Sequence, residues 1–251
     1  MRVIISLFLL GLLGCAPVSS VSDEKKQQAE VHYKMAISHM QANNPTMALQ
    51  KLLPAVELDP DNSAIQVALA QTYQQKRSYA NAERHYLKAL ELSKNDPKYL
   101  NNLATLYLDM QQWDKAIEYF DKAIADLLFL SPHVALAGKG FALFSKKEYP
   151  AALQQYDEAL AIAPSYATAY YLKSQAYSEM QDQVQEKQAL ERALSLYPDY
   201  PQANYQLAIL LLKENEIKSA AKRLKQVIEV VPDSEIGLKS EEILKGLQGK
   251  Y

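Results

Sequence analysis

One cysteine, seven glycines, one tryptophan and four histidines are all that 251 residues supply of the side chains most chemistry depends on. A single thiol, Cys15, rules out a disulfide within the chain, so the fold must hold without cross-links. After it come only Gly138, Gly140, Gly237, Gly246 and Gly249, none in a loop that could cradle phosphate. Gly138-Lys139-Gly140 lies inside a helical stretch, where close packing explains it better. Of the histidines His32, His39, His85 and His133, the first two share a helical face seven residues apart. No third ligand accompanies them, and packing is the expected role, so no metal site is assigned. Charge of one sign is missing too. With 27 Lys and Arg against 29 Asp and Glu, no basic field exists to hold nucleic acid through counterion release. Carboxylates such as Glu83, Glu91, Asp114 and Glu118 fall on outward helix positions as solvated faces. Nothing converges into a catalytic set, so neither an enzyme nor a cofactor is expected.

A long apolar run is also absent. Val3 to Leu13, behind Met1 and Arg2, is too short to span a bilayer and reads as the hydrophobic part of an export signal over residues 1–14. It closes on Leu12-Leu13-Gly14-Cys15, which resembles the bacterial lipobox, with Leu13 bulkier than usual there. The resemblance implies acylation of the Cys15 thiol. Several acyl chains at about 0.8 kcal/mol per buried methylene would hold the protein permanently on a membrane. Ala16 stands where an aspartate would resemble an inner-membrane retention signal, so the outer membrane, facing the periplasm, is the expected location. Residues 15–28, with Pro17, Ser19, Ser20, Ser22, Asp23 and Glu24, are small and polar and read as a lipidated cysteine with a flexible tether.

What the chain has in abundance is self-similarity. Six blocks align without internal gaps: 29–62, 63–96, 97–132, 133–166, 167–200 and 201–234, with starts spaced 34, 34, 36, 34 and 34 residues apart. Position 8 is always small: Ala36, Ala70, Ala104, Gly140, Ser174 and Ala208. Position 20 is Ala48, Ala82, Ala116, Ala152 and Ala220, with Glu186 the exception; position 27 is Ala55, Ala89, Ala123, Ala159, Ala193 and Val227. Position 24 carries a large apolar knob: Leu52, Tyr86, Phe120, Tyr156, Leu190 and Leu224. Small residues in register let helices approach, and the knobs fill the layer between them. Pro60, Pro164, Pro198 and Pro232 stand at position 32, where a helix must stop. The period is helical throughout.

These residues resemble the tetratricopeptide (TPR) signature, which implies an all-α superhelical solenoid of six helix-turn-helix repeats. Residues 235–251, with Ile236, Leu238, Ile243, Leu244 and Leu247 at helical spacing, read as a capping helix and a frayed tail. Lys139 and Lys173 replace the apolar residue of position 7 and, with Glu186, predict looser packing in repeats four and five. The insertion of residues 126–132 predicts a longer helix with buried leucines; the alternative is an exposed contact loop around Phe129.

In such a stack positions 2, 5, 9 and 12 of each repeat point into a concave groove. The candidate partner-binding residues are Tyr33, Ile37 and Met40; Val67 and Gln71; Asn101, Thr105 and Leu108; Phe141 and Phe144; Tyr171 and Gln175; and Tyr205, Ile209 and Leu212. Few are charged, and apart from Lys98 and Asn101 the Lys, Arg and Asn set of a carboxylate clamp is missing. Aromatic and apolar anchors of this kind suit an extended or helical peptide segment; packing between neighbouring first helices is the competing role. Six repeats behind a lipobox, with Asn101-Asn102-Leu103 and the Leu128-Phe129 to Pro132 irregularity, resemble the type IV pilus pilotins of the Tgl, PilF and PilW kind. That resemblance implies a lipoprotein adaptor that helps secretin subunits reach the outer membrane and form their ring. An adaptor for peptidoglycan enzymes or for outer-membrane protein insertion, and a soluble cytoplasmic scaffold, stay open beside it.

Overall fold

The computed structural model describes residues 21–247, so the expected export signal, Cys15 with its expected acylation, and residues 248–251 lie outside the described residues. Within them the chain folds into helices that follow one another in antiparallel pairs: α1 (Val21–Gln41) with α2 (Pro45–Leu58), α3 (Ser63–Gln75) with α4 (Tyr79–Ser93), and α5 (Pro97–Asp109) with α6 (Trp113–Ile124). Then come α7 (Pro132–Ser145) with α8 (Tyr149–Ile162), α9 (Ala167–Glu179) with α10 (Gln183–Leu196), α11 (Pro201–Lys213) with α12 (Ile217–Val230), and finally α13 (Glu235–Gly246). Each helix touches mainly its partner and the next pair, which is the quasi-one-dimensional packing of a superhelix.

Proline and a left-handed residue punctuate this path. Five helices carry proline in their first two positions, where a missing N–H costs no hydrogen bond. Pro60, Pro164, Pro198 and Pro232 follow the C-caps Asp59, Ala163, Tyr197 and Val231. The turn inside each pair falls at position 15, and all six residues there are left-handed: Asn43, Arg77, Gln111, Lys147, Gln181 and Asn215, with φ of 54–65°. The next amide in each case closes back onto the helix, as Asn44 N does on His39 O at 2.9 Å and Glu216 N on Leu211 O at 2.8 Å. Asparagine tolerates this conformation, whereas the other four residues each give up about 1 kcal/mol for it. Repeat two has no proline at its exit, and there Lys94 and Asn95 are both left-handed instead.

The register of small and large residues is the register of the core. Ala36, Ala70, Ala104, Ser174 and Ala208 are fully buried, as are the alanines of position 20 and the residues of position 27. Leu52, Tyr86, Phe120, Tyr156, Leu190 and Leu224 are among the most completely buried large side chains. Two lysines between repeats are each met by an ion pair. Lys139 Nζ donates to Asp121 Oδ1 at 2.7 Å, and Lys173 pairs with Asp157 in the same register one repeat later. Their methylene stems cover apolar surface while a carboxylate of the preceding second helix receives the charge.

Three expectations are corrected. Residues 21–28, assigned to a flexible tether, form the first turns of α1, because Asp23 and Glu24 favour a helix start and Lys25 to Gln28 are good helix formers. Residues 126–131 do not extend α6. They form a loop in which Leu127, Leu128 and Leu130 are 98%, 86% and 94% exposed, while Phe129 packs back on the core. The Asp126 carboxylate accepts from Leu128 N at 2.8 Å and holds the chain in a turn that a helix cannot share. In α13, Leu238 is exposed, and the buried face consists of Gly237 and Ser240. A Cβ at Gly237 would lie 2.1 Å from the Val231 carbonyl oxygen, so helix and preceding turn approach too closely for any side chain there.

His85 on α4 makes repeat two sensitive to acid. Its ring stacks on Tyr73 with centroids 5.5 Å apart, and Nδ1 lies 2.7 Å from Oε1 of buried Gln66, which anchors to Pro60 O at 2.8 Å. Burial, and then the neighbouring Arg84 guanidinium, lower its pKa from the ordinary histidine range. The unfolded chain therefore takes up this proton at a higher pH than the folded one, and stability falls as pH drops below about 6.5. His85→Gln is expected to flatten the decline in melting temperature between neutral and mildly acid pH; identical profiles for both proteins would remove His85 as its source.

Candidate partner-binding groove

The first helices of successive pairs, α5, α7 and α9, and then α11 and α13, lie side by side, and the hollows between them open on one face. The central hollow, of about 260 Å³, is lined by Asn101, Thr105 and Leu108 from α5, Val134, Ala137 and Phe141 from α7, and Tyr166 and Leu172 at α9. Its floor is unusual. Gly138 has no side chain, and the Phe120 ring of α6 occupies the gap, so that a Cβ at Gly138 would lie 2.4 Å from Phe120 Cζ. A second-helix side chain thus reaches the groove surface through a missing one. Asn101 Oδ1 has no hydrogen-bond partner, and Thr105 Oγ1 donates to Asn101 O at 3.0 Å.

The C-terminal hollow, of about 300 Å³, is lined by Tyr171 and Ser178 of α9, Gln202, Tyr205, Gln206 and Ile209 of α11, and Ile236 of α13. Glu186 of α10 closes it from below and is only 5% exposed. Gln206 Nε2 donates to Glu186 Oε1 at 2.9 Å, and Ser174, which donates to Tyr171 O at 2.6 Å, lies 3.5 Å from Gln206 Oε1. Burial, and next the nearby Tyr200, push the Tyr171 hydroxyl above the usual tyrosine pKa, so it stays a neutral donor. Gln175 Nε2 donates to that hydroxyl at 3.2 Å.

The candidate residues therefore divide. Asn101, Thr105, Leu108 and Phe141 meet in the central hollow, and Tyr171, Tyr205 and Ile209 in the C-terminal one. Phe141 does not share a hollow with the two tyrosines. Tyr33, Ile37 and Met40 pack on the core around Leu52 and Ile65, and Val67 is 7% exposed within the core beside Tyr86. Gln71 is exposed. Phe144 packs on the cluster of Leu143 and Tyr156, its centroid 5.5 Å from Tyr149, and Leu212 packs on that of Leu207 and Leu211. Phe120, Tyr166, Leu172, Glu186 and Ile236 line the hollows and were not foreseen. Only Glu186 had left a signal, as the one departure from alanine at position 20.

Among the described residues no helix is long and apolar enough to cross a membrane, and no group of His, Cys, Asp and Glu could hold a metal ion. Sequence profiles of the tetratricopeptide repeat match residues 61–128, 140–181, 167–200 and 187–240. The chain belongs to the tetratricopeptide-repeat proteins, a class of protein-interaction scaffolds.

Within that class it resembles the type IV pilus biogenesis factors PilW and PilF. PilW superimposes with a TM-score of 0.74 at 18% identity, covering 85% of this chain and 98% of that one. The PilF structure from Pseudomonas aeruginosa gives 0.70 at 16%, covering 88% and 99%. In sequence, the type IV pilus assembly protein PilF of Pseudomonas aeruginosa is 23% identical over 160 residues, 62% of this chain and 63% of the relative. The Hsp70-Hsp90 organizing protein of Triticum aestivum is 34% identical over 94 residues, but these are 34% of this chain and 16% of the relative. The chain thus spans less than two thirds of the length of these curated relatives. Structural likeness at such identities establishes the shared superhelix.

Proposed function

We propose that the chain is a lipid-anchored adaptor, held on the outer membrane through Cys15, whose groove receives a segment of a type IV pilus secretin subunit. The observation that carries this reading is the near-complete overlap of the helix array with PilW and PilF, joined to sequence similarity with PilF and not to structure alone. The groove chemistry supports it: a mostly apolar central hollow and a C-terminal one walled by Tyr171, Tyr205 and Ile209 suit a peptide segment with apolar anchors. Anchoring both partners at one membrane raises their effective concentration and favours assembly without further contacts.

Palmitate labelling of the wild type, lost in Cys15→Ala, is the expected outcome for a lipoprotein; a protein that labels in neither form is not anchored this way. Heat-stable secretin multimers should disappear when the gene is deleted. They should stay low with Cys15→Ala, whose groove is intact but whose protein is no longer concentrated at the membrane. Intact multimers together with altered cell shape would instead assign the adaptor to wall enzymes.

A further inference from the structure

Position 20 is alanine in five of the six repeats, because the second helix there faces the first across a narrow gap. In repeat five it is Glu186, 5% exposed on α10 beneath the C-terminal hollow. A buried carboxylate is costly unless charge or hydrogen bonds compensate it. Here the compensation is partial. The first turn of α10 presents the positive end of the helix dipole, and Gln206 Nε2 donates one hydrogen bond at 2.9 Å. No cation of the described chain pairs with it. The adjacent Lys187 turns outward to Glu214 at 2.6 Å and Glu216 at 3.3 Å, and Lys213 stands exposed at the rim without an ion pair to Glu186.

We infer that the C-terminal hollow is a subsite for a basic side chain of the partner segment, with Glu186 as the group that receives it. The assignment rests on the reading that this groove holds a peptide segment, and adds which residue that segment carries. A lysine or arginine entering between Tyr171 and Tyr205 would pass its methylenes along the aromatic walls and set its charge against the carboxylate. Desolvated at the floor of a hollow, such a pair selects strongly, since a neutral or acidic side chain in its place leaves the carboxylate unpaired.

The test is selection of random linear peptides displayed on phage against the purified protein, in parallel with Glu186→Gln and Phe141→Glu. The amide keeps an oxygen for Gln206, and Glu186→Ala, the residue of the other repeats, gives a second folded variant; circular dichroism checks both. Wild type should enrich Lys or Arg at one register relative to the apolar anchors, and Glu186→Gln should lose that preference and bind the selected peptide about tenfold or more weakly. Peptides without a basic preference, yet lost with Phe141→Glu, would overturn the subsite while leaving the groove. A basic preference retained in both Glu186 variants would overturn it as well. Failure to enrich any peptide, or binding indifferent to Phe141 and Glu186 alike, would remove the groove reading and this subsite with it.

Discussion

Phe141→Glu combined with Tyr205→Ala is expected to weaken capture of the proposed secretin segment at least about a hundredfold, with helix content and melting temperature nearly unchanged. The two residues stand one in each hollow, and neither belongs to the buried clusters that hold the repeats together. A carboxylate in the apolar central hollow loses its hydration when the partner docks, removal of the Tyr205 ring takes away one wall of the C-terminal hollow, and two hot spots of about 2 kcal/mol or more exceed the 1.4 kcal/mol per decade that a hundredfold change requires twice over. Phe144 is the wrong choice for this experiment despite its register. It packs on Leu143 and Tyr156 and against Tyr149, so a charge there would damage the scaffold and confuse loss of binding with loss of fold. Co-purification of the secretin from detergent-solubilised outer membranes is the measurement. Undiminished co-purification by the double variant would place the contact elsewhere on the protein.

Phe120→Ala should cost about 3–5 kcal/mol, the range for removing a buried aromatic ring. The ring is 1% exposed, wedged between repeats three and four, and fills the space that Gly138 leaves open. Gly138→Ala alone sets two effects against each other. Alanine improves helix propensity by about 1 kcal/mol, while a methyl 2.4 Å from Phe120 Cζ overpacks the contact for about 1–3 kcal/mol. The clash wins because the ring is buried and has nowhere to swing. In the Phe120→Ala background the clash is gone, and Gly138→Ala should become neutral or stabilising. Urea unfolding of the four proteins closes the cycle, and strict additivity would show that Gly138 and Phe120 are not coupled.

The helix pairs were legible because their code is local and repeated. An alanine every 34 residues, matched by a large knob at position 24, has one physical reading, and burial of Ala48, Ala82, Ala116 and Leu52, Tyr86, Phe120 reproduces it. Lys139 and Lys173 looked like defects because their partners, Asp121 and Asp157, lie one helix back in an adjoining repeat. The leucines of residues 126–131 misled for a related reason. Apolar character argues for burial only where a neighbouring surface is available, and the two-residue insertion carries these side chains past the end of α6 into solvent.

The groove was half legible. Helical periodicity assigns a side chain to a face of its own helix, and Asn101, Phe141, Tyr171 and Tyr205 do line hollows between first helices. It says nothing of what lies across from that face, which is why Val67 is buried in the core and Phe144, half-buried, packs against it.

By itself the amino-acid sequence determined the helical pairs, their order and the small-to-large register that stacks them, since each depends on residues within one repeat or its neighbour. Only the tertiary structure decided where the hollows are open, that Phe120 reaches the floor of one through Gly138, and that Glu186 lies under the C-terminal hollow with no ion pair among the described residues. Those outcomes depend on how three helices from different repeats meet, and on the volume left between them, which no single helix encodes.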